Sequence, residues 1–199
     1  MEKREETEWI KAFLAGDRSA FDRLVLSHKD RVFNVCYRML GNHEDADDCA
    51  QETFLKVYRS LKDFRFDAGF STWLFAIAVN TCKNRLNSAE YRRRRKMVPI
   101  VDPPPDDAER GQTVCDLADP GPSPLDLLTQ KERERLLQNA IDALAPDARA
   151  VVVLRDVEGL SYDEIVLATG YNMGTLKSKL ARARRHLREK LREKSNGVV

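Results

Sequence analysis

Seven of the chain's eight prolines fall between residues 99 and 124, and this segment constrains the fold more than any other. Pro99, Pro103, Pro104, Pro105, Pro120, Pro122 and Pro124 fix φ and remove backbone donors, so the segment forms neither helix nor central strand. Between Val101 and Asp126 it carries Asp102, Asp106, Asp107, Glu109, Asp116, Asp119 and Asp126 against the single Arg110. Such a composition reads as an acidic, extended linker over 98–124. A five-residue basic run, Arg92 to Lys96, precedes it and suits phosphate contacts or plain solvation equally. The linker divides the chain into blocks at 1–97 and 125–199, each long enough for a modest core of its own.

Both blocks show helical periodicity and neither shows sustained strand alternation, so the fold class is all-α. In the first, Trp9, Ile10, Phe13 and Leu14 side a short helix that stops near Gly16. A second helix runs from Phe21 to Leu40 with Gly41 at its end, and a break is expected near Ser27 and His28. The third, capped by Asn42 or His43, carries Ala46, Ala50, Phe54, Val57, Tyr58 and Leu61. The fourth begins near Phe70, with Leu74, Ile77, Ala78 and Thr81 on one face. In the second block, Leu125, Leu128, Leu136, Leu137, Ala140 and Leu144 are assigned to one helix, and Pro146 with Asp147 opens another. Ser161-Tyr162-Asp163-Glu164 is a capping box, in which the hydroxyl takes the Glu164 amide and the carboxylate reaches back. Gly170 ends that helix. The last runs from about Met173 to Lys194 on a stripe of Leu176, Leu180, Ala183, Leu187 and Leu191.

A capped short helix, a glycine-containing turn and a long basic helix make a helix-turn-helix, whose second helix enters a DNA major groove. That helix carries Lys177, Lys179, Arg182, Arg184, Arg185, Arg188, Lys190, Arg192 and Lys194 against Glu189 and Glu193. Each phosphate it neutralises releases a counterion and adds affinity. Overall charge says less: +2 net, with 33% charged and 42% hydrophobic residues. Cys36, Cys49 and Cys82 sit in apolar helical patterns and read as core; Cys115 reads as exposed. With His28, His43 and His186 they give no metal spacing. Nothing resembles a nucleophile–base pair or a phosphate-binding loop, so no catalytic residue and no cofactor is expected. The N-terminus has no apolar leader core, and the run from Trp73 to Val79 is too short to span a bilayer, so a cytosolic protein without membrane insertion is expected.

The first block carries motifs of another kind. Asp45-Ala46-Asp47-Asp48-Cys49-Ala50-Gln51-Glu52-Thr53-Phe54-Leu55-Lys56 resembles the core-binding signature of the sigma-70 family. The segment from Phe70 to Asn80 resembles its neighbour that melts and reads the −10 element. Gly159 to Ile165 and Gly174 to Leu180 resemble the family's −35 reader. Four motifs in order, without additional domains, resemble the extracytoplasmic-function class of the sigma-E and sigma-W type. The resemblance implies that Asp45, Asp48, Gln51, Glu52 and Leu55 dock on the clamp helices of the polymerase's largest subunit. It assigns the −10 element to Lys56, Phe64, Arg65, Phe66, Asp67, Phe70, Ser71, Thr72, Trp73, Asn80, Lys83 and Asn84. The −35 element falls to Thr175, Lys177, Ser178, Lys179, Arg182 and Arg185. An anti-sigma factor is the further partner implied, able to hold the chain at the inner membrane face. Lys177, Lys179, Asn172 and Ala181 depart from the family's usual residues, which bears on the −35 preference.

The residues alone leave other readings open. Acids at a helix start suit the helix dipole, and Glu52 pairs naturally with Lys56 one turn on. Trp73 reads equally as a core plug or as a stacking surface for unpaired bases. A free-standing regulator that never joins polymerase, or a protein-binding module with an RNA-binding tail, would also carry the basic helix.

Overall fold

The computed structural model describes residues 2–88, Tyr91 and 124–195. The proline-rich linker, Arg92 to Lys96 and Cys115 lie outside the described residues. So do the side chains of Leu125 and Leu128. Among the described residues there is no strand.

Helix α1 spans Glu2–Leu14 and α2 spans Ser19–Leu40. Between them Gly16 has φ 107°, and the Asp17 carboxylate accepts from the Ser19 amide at 3.0 Å and hydroxyl at 2.7 Å. α2 does not break at Ser27 and His28. The Ser27 hydroxyl is satisfied by the Leu24 carbonyl at 3.0 Å, and buried His28 sits 2.9 Å from Glu6 with its ring against Phe70. The hydroxyl and one ring nitrogen find partners while the helix runs on uninterrupted, so no break is needed. Gly41, at φ 80°, closes α2 by donating to the Tyr37 carbonyl, a left-handed cap that glycine adopts without steric cost.

α3 (His43–Ser60) is capped by Asn42, whose side chain accepts from the Asp45 amide at 2.8 Å. A 3₁₀ turn over Leu61–Asp63 leads to a loop and then to α4 (Phe70–Asn87). α2, α3 and α4 pack on one another, with Val32, Val35, Cys36, Met39, Ala46, Cys49, Val57, Leu74, Phe75, Ala78 and Cys82 at their centre. The three thiols meet there, and contact with Cys36 and Cys49 together with burial pushes the Cys82 thiol far up.

In the second block α5 is Pro124–Asp142 and α6 is Pro146–Val152, continued by a π-helical turn over Val153–Val157. Leu144 lies past the end of α5 and fills the core from the connection, while Leu137 faces solvent; both differ from the expected single stripe. α7 (Tyr162–Thr169) carries the capping box as expected, with Ser161 and Glu164 satisfying each other at 2.9 and 3.2 Å, and Gly170 ends it at φ 71°. α8 (Met173–Ser195) is anchored by buried Leu176, Leu180 and Ala183. Leu187 is half-buried and Leu191 is 37% exposed, so the apolar stripe ends earlier than its heptad spacing suggests.

The blocks are closed on each other. Val151, Leu154, Leu160, Ile165 and Leu176 share one buried cluster with Phe70 and Phe75. Arg149, 1% exposed, donates to the Met39 carbonyl at the end of α2, to the Asp142 and Leu144 carbonyls, and pairs with the Asp142 carboxylate at 3.1 Å. Arg31 holds Glu158 at 3.0 Å, and Arg38 donates to Gln138 at 3.1 Å. Burying an arginine requires partners for its donors, and carbonyls from both blocks meet its two terminal nitrogens here.

Candidate nucleic-acid interface

Three groups of side chains follow from this frame. The first lies along α3, where positions 45, 48 and 52 share a side because the helix repeats every 3.6 residues. They are not alike. Asp48 and Glu52 are exposed, but Asp45 is 4% exposed, which corrects the expectation of three acids on an open face. Its carboxylate accepts from Asn42 and from Arg85 of α4 at 2.7 and 3.2 Å, so it braces α3 against α4. Arg85 also reaches Asp48 at 3.2 Å, and these carboxylates, Asp45 first, raise its pKa above the ordinary guanidinium value. Gln51 is exposed and donates to Asp47 at 2.9 Å; Leu55 is 57% exposed, and Tyr58 one turn on is 43% exposed. The open surface is thus Asp48, Gln51, Glu52 and Leu55, a mixed acidic and apolar strip.

The second group surrounds the start of α4. Lys56 pairs with Glu52 at 2.7 Å and donates to Thr81 at 3.0 Å, tying α3 to α4. Phe64, Phe66, Phe70 and Trp73 form a connected ring cluster. Phe64 lies 4.7 Å from Phe66, 6.0 Å from Phe70 and 5.1 Å from Trp73. Phe64 and Phe70 are buried and support the cluster from inside, with Phe70 the first residue of α4. Phe66 is 45% exposed and has φ 61°, a left-handed conformation rare for an aromatic residue, which costs about 1–3 kcal/mol. Arg65 and Asp67 are exposed beside it; Ser71 and Trp73 are half-buried. Trp73 therefore does both things the sequence left open: one part of its ring packs on Phe64 and Phe70, the rest reaches the surface. Along α4, Asn80 and Asn84 are exposed. Thr72 is 1% exposed and donates to Glu164 of α7 at 3.3 Å.

The third group is α8. Lys177, Ser178, Arg182 and Arg185 are exposed on its outer side, and Arg182 folds back over Ser178 at 3.2 Å. Thr175 is half-buried at the helix start, its amide donating to the Asn172 side chain at 2.8 Å. Asn172 is thus a helix cap, a role asparagine fills well. Arg184, also exposed, pairs with Asp156 of the π-helical turn.

Lys83 and Lys179 stand apart from their groups. Lys83 of α4 lies 2.6 Å from one oxygen of Asp147, and Lys179 of α8 lies 3.5 Å from the other. Both ammonium groups sit over the ring of Tyr171, at 5.9 and 5.0 Å from its centre. The Lys83 hydrogen bond is the main reason the Asp147 carboxyl is held below its ordinary value. Burial opposes the Lys83 ammonium, but Asp147 and Tyr171 together raise its pKa.

The chain matches the family model for sigma-70 region 2 over residues 24–95 and that for sigma-70 region 4 over residues 134–187. It belongs to the sigma-70 family of RNA polymerase sigma factors. Its relatives place it in the extracytoplasmic-function branch. It is 35% identical to the RNA polymerase sigma-H factor of Pseudomonas aeruginosa, over 92% of this chain and 91% of that one. It is 36% identical to the ECF RNA polymerase sigma-E factor of Haemophilus influenzae, over 88% and 89%. The fold is similar to that of the sigma factor RpoE from Bartonella quintana, solved with the anti-sigma factor NepR. The TM-score is 0.60 at 22% identity, covering 86% of this chain and 96% of that one.

Region 2 thus holds α2 to α4, and region 4 holds the helix-turn-helix of α7 and α8. Sequence reasoning passed over Arg85, Asp147, Arg149, Tyr171 and Glu164 as functional positions. For Arg85 and Asp147 no local signal exists, since their partners lie 40 and 64 or 32 positions away. Among the described residues no helix is long and apolar enough to cross a membrane, and no cluster of His, Cys, Asp or Glu is built to hold a metal ion.

Proposed function

We propose that this sigma factor docks on core RNA polymerase through the outer strip of α3, reads both promoter elements and opens the strands between them. Asp48, Gln51, Glu52 and Leu55 form the docking strip for the clamp helices, with Asp45 and Arg85 holding α3 in position. The Phe64–Trp73 aromatic cluster, with Asn80, Lys83 and Asn84, captures unpaired bases of the −10 element, because every base offers a face on which an aromatic ring stacks. Lys177, Ser178, Arg182 and Arg185 on α8, with Thr175 and Lys179, meet the duplex −35 element. Phosphodiester chemistry remains the polymerase's. The chain works in the cytosol and is held in check by an anti-sigma factor.

The observation that carries this reading is the presence, in one chain of the family, of an exposed acidic–apolar strip on α3 and a basic helix-turn-helix. A free-standing regulator has a use for the second and none for the first. Copurification with core polymerase distinguishes them. The intact chain is expected to elute with core from a sizing column at low micromolar concentration, and elution as free protein at all concentrations would defeat the proposal.

A further inference from the structure

Lys83 and Lys179 are assigned to promoter elements whose names place them about 25 base pairs apart, roughly 85 Å of B-form DNA at 3.4 Å per base pair. In this structure they share one carboxylate. A chain arranged this way reaches one element at most. Thr72, beside the −10 cluster, is likewise occupied by Glu164 of the helix-turn-helix, and the apolar core runs unbroken from Phe70 and Phe75 to Ile165 and Leu176.

We propose that Asp147 and Tyr171 form a latch that keeps the two blocks closed and withholds Lys83 and Lys179 from DNA. This rests on the promoter-reading function above. The latch is built from three helices and a turn. Asp147 stands in the first turn of α6, Tyr171 in the turn between α7 and α8, and the lysines arrive from α4 and α8. The two carboxylate oxygens take the place that DNA phosphate oxygens would hold, and the tyrosine ring places its negative face beneath both cations. Latch and phosphate therefore compete for the same two ammonium groups. The carboxylate is 44% exposed and each lysine 27% exposed, so the latch is within reach of a competing polyanion and sensitive to salt. Arg31 with Glu158 and Arg149 with Met39 hold the same seam at other points, and the latch biases their closure without replacing it.

The test is a distance measurement on the full chain, with fluorophores on Asp47→Cys and Glu189→Cys, both exposed positions, in a Cys115→Ser background. Asp147→Asn removes one exposed ion-pair set and is expected to raise the open fraction about three- to tenfold, while Asp147→Lys raises it further through repulsion. Asp147→Glu is expected to keep the closed distance. Affinity for single-stranded −10 DNA is expected to rise by the same factor as the open fraction, since apparent affinity scales with the competent population. A distance distribution in Asp147→Lys identical to that of the parent overturns the latch, as does a parent that is already open. A distance shift with promoter DNA bound by neither protein upholds the closure and removes the promoter reading instead.

Discussion

Replacing Arg85 by methionine keeps a long apolar stem on α4 but removes the cation from the Asp45 carboxylate, whose side chain is 6% exposed. The arginine makes two hydrogen bonds to Asp45, at 2.7 and 3.2 Å, and one to Asp48 at 3.2 Å. The Asp48 contact faces solvent and contributes about 0–1 kcal/mol. Charge-assisted bonds to a buried group contribute about 1.5–3 kcal/mol, and the guanidinium's own 36% exposure moves the figure to the lower half of that range. The expected loss is about 1–2.5 kcal/mol, which lowers the melting temperature of a chain this size by roughly 2–10 °C. Urea and thermal denaturation followed by circular dichroism measure it. Asp48→Ala is expected to cost under about 0.5 kcal/mol. Adding Asp45→Asn to Arg85→Met should recover part of the loss, because the amide no longer needs a cation. An Arg85→Met protein within about 0.5 kcal/mol of its parent, or a double variant whose losses simply add, would refute the view that Asp45 is a brace.

Three further outcomes follow from the same structure. Charge reversal by Asp48→Lys with Glu52→Lys should weaken binding to core polymerase at least tenfold in a pull-down while lowering the denaturation midpoint much less than Asp45→Lys does. Burial raises the Glu158 carboxyl above its usual 4.5, against the pull of Arg31. A raised acid contributes stability that is present below pH 4.5 and lost as pH climbs through the folded value, so Glu158→Gln should flatten the urea midpoint against pH just above 4.5. In a Cys115→Ser background, Cys36, Cys49 and Cys82 should resist a thiol-disulfide reagent at neutral pH until denaturant is added, because all three are buried and Cys82 is held firmly protonated.

Features set by nearest neighbours along the chain were legible in the sequence. Ser161 and Glu164 announce their capping box because both partners lie within one turn, and Gly41 and Gly170 mark helix ends because each needs a left-handed φ. Outward positions on α8 followed from its 3.6-residue period, as did the anchors Leu176 and Leu180. What stayed hidden depends on residues distant in the chain. Asp45 looked like its neighbours Asp48 and Glu52, and only the arrival of Arg85 from α4 separates a brace from an open acid. Asp147 reads as an ordinary acid in a first helical turn until Lys83 and Lys179 close on it. His28 suggested a break in α2 because its partners, Glu6 and Phe70, come from either side in sequence. Arg149 gave no sign at all of being the most buried charged side chain of the seam.

Run-off transcription tests the central claim most directly. Purified chain and core polymerase, with a library of promoter fragments, are expected to give discrete transcripts that neither component gives alone. Substituting the exposed α8 residues Lys177 and Arg182 should abolish selection by the −35 element. Transcripts that do not depend on the added chain, or a chain that binds the same duplexes tightly yet never starts transcription with core, would contradict the account.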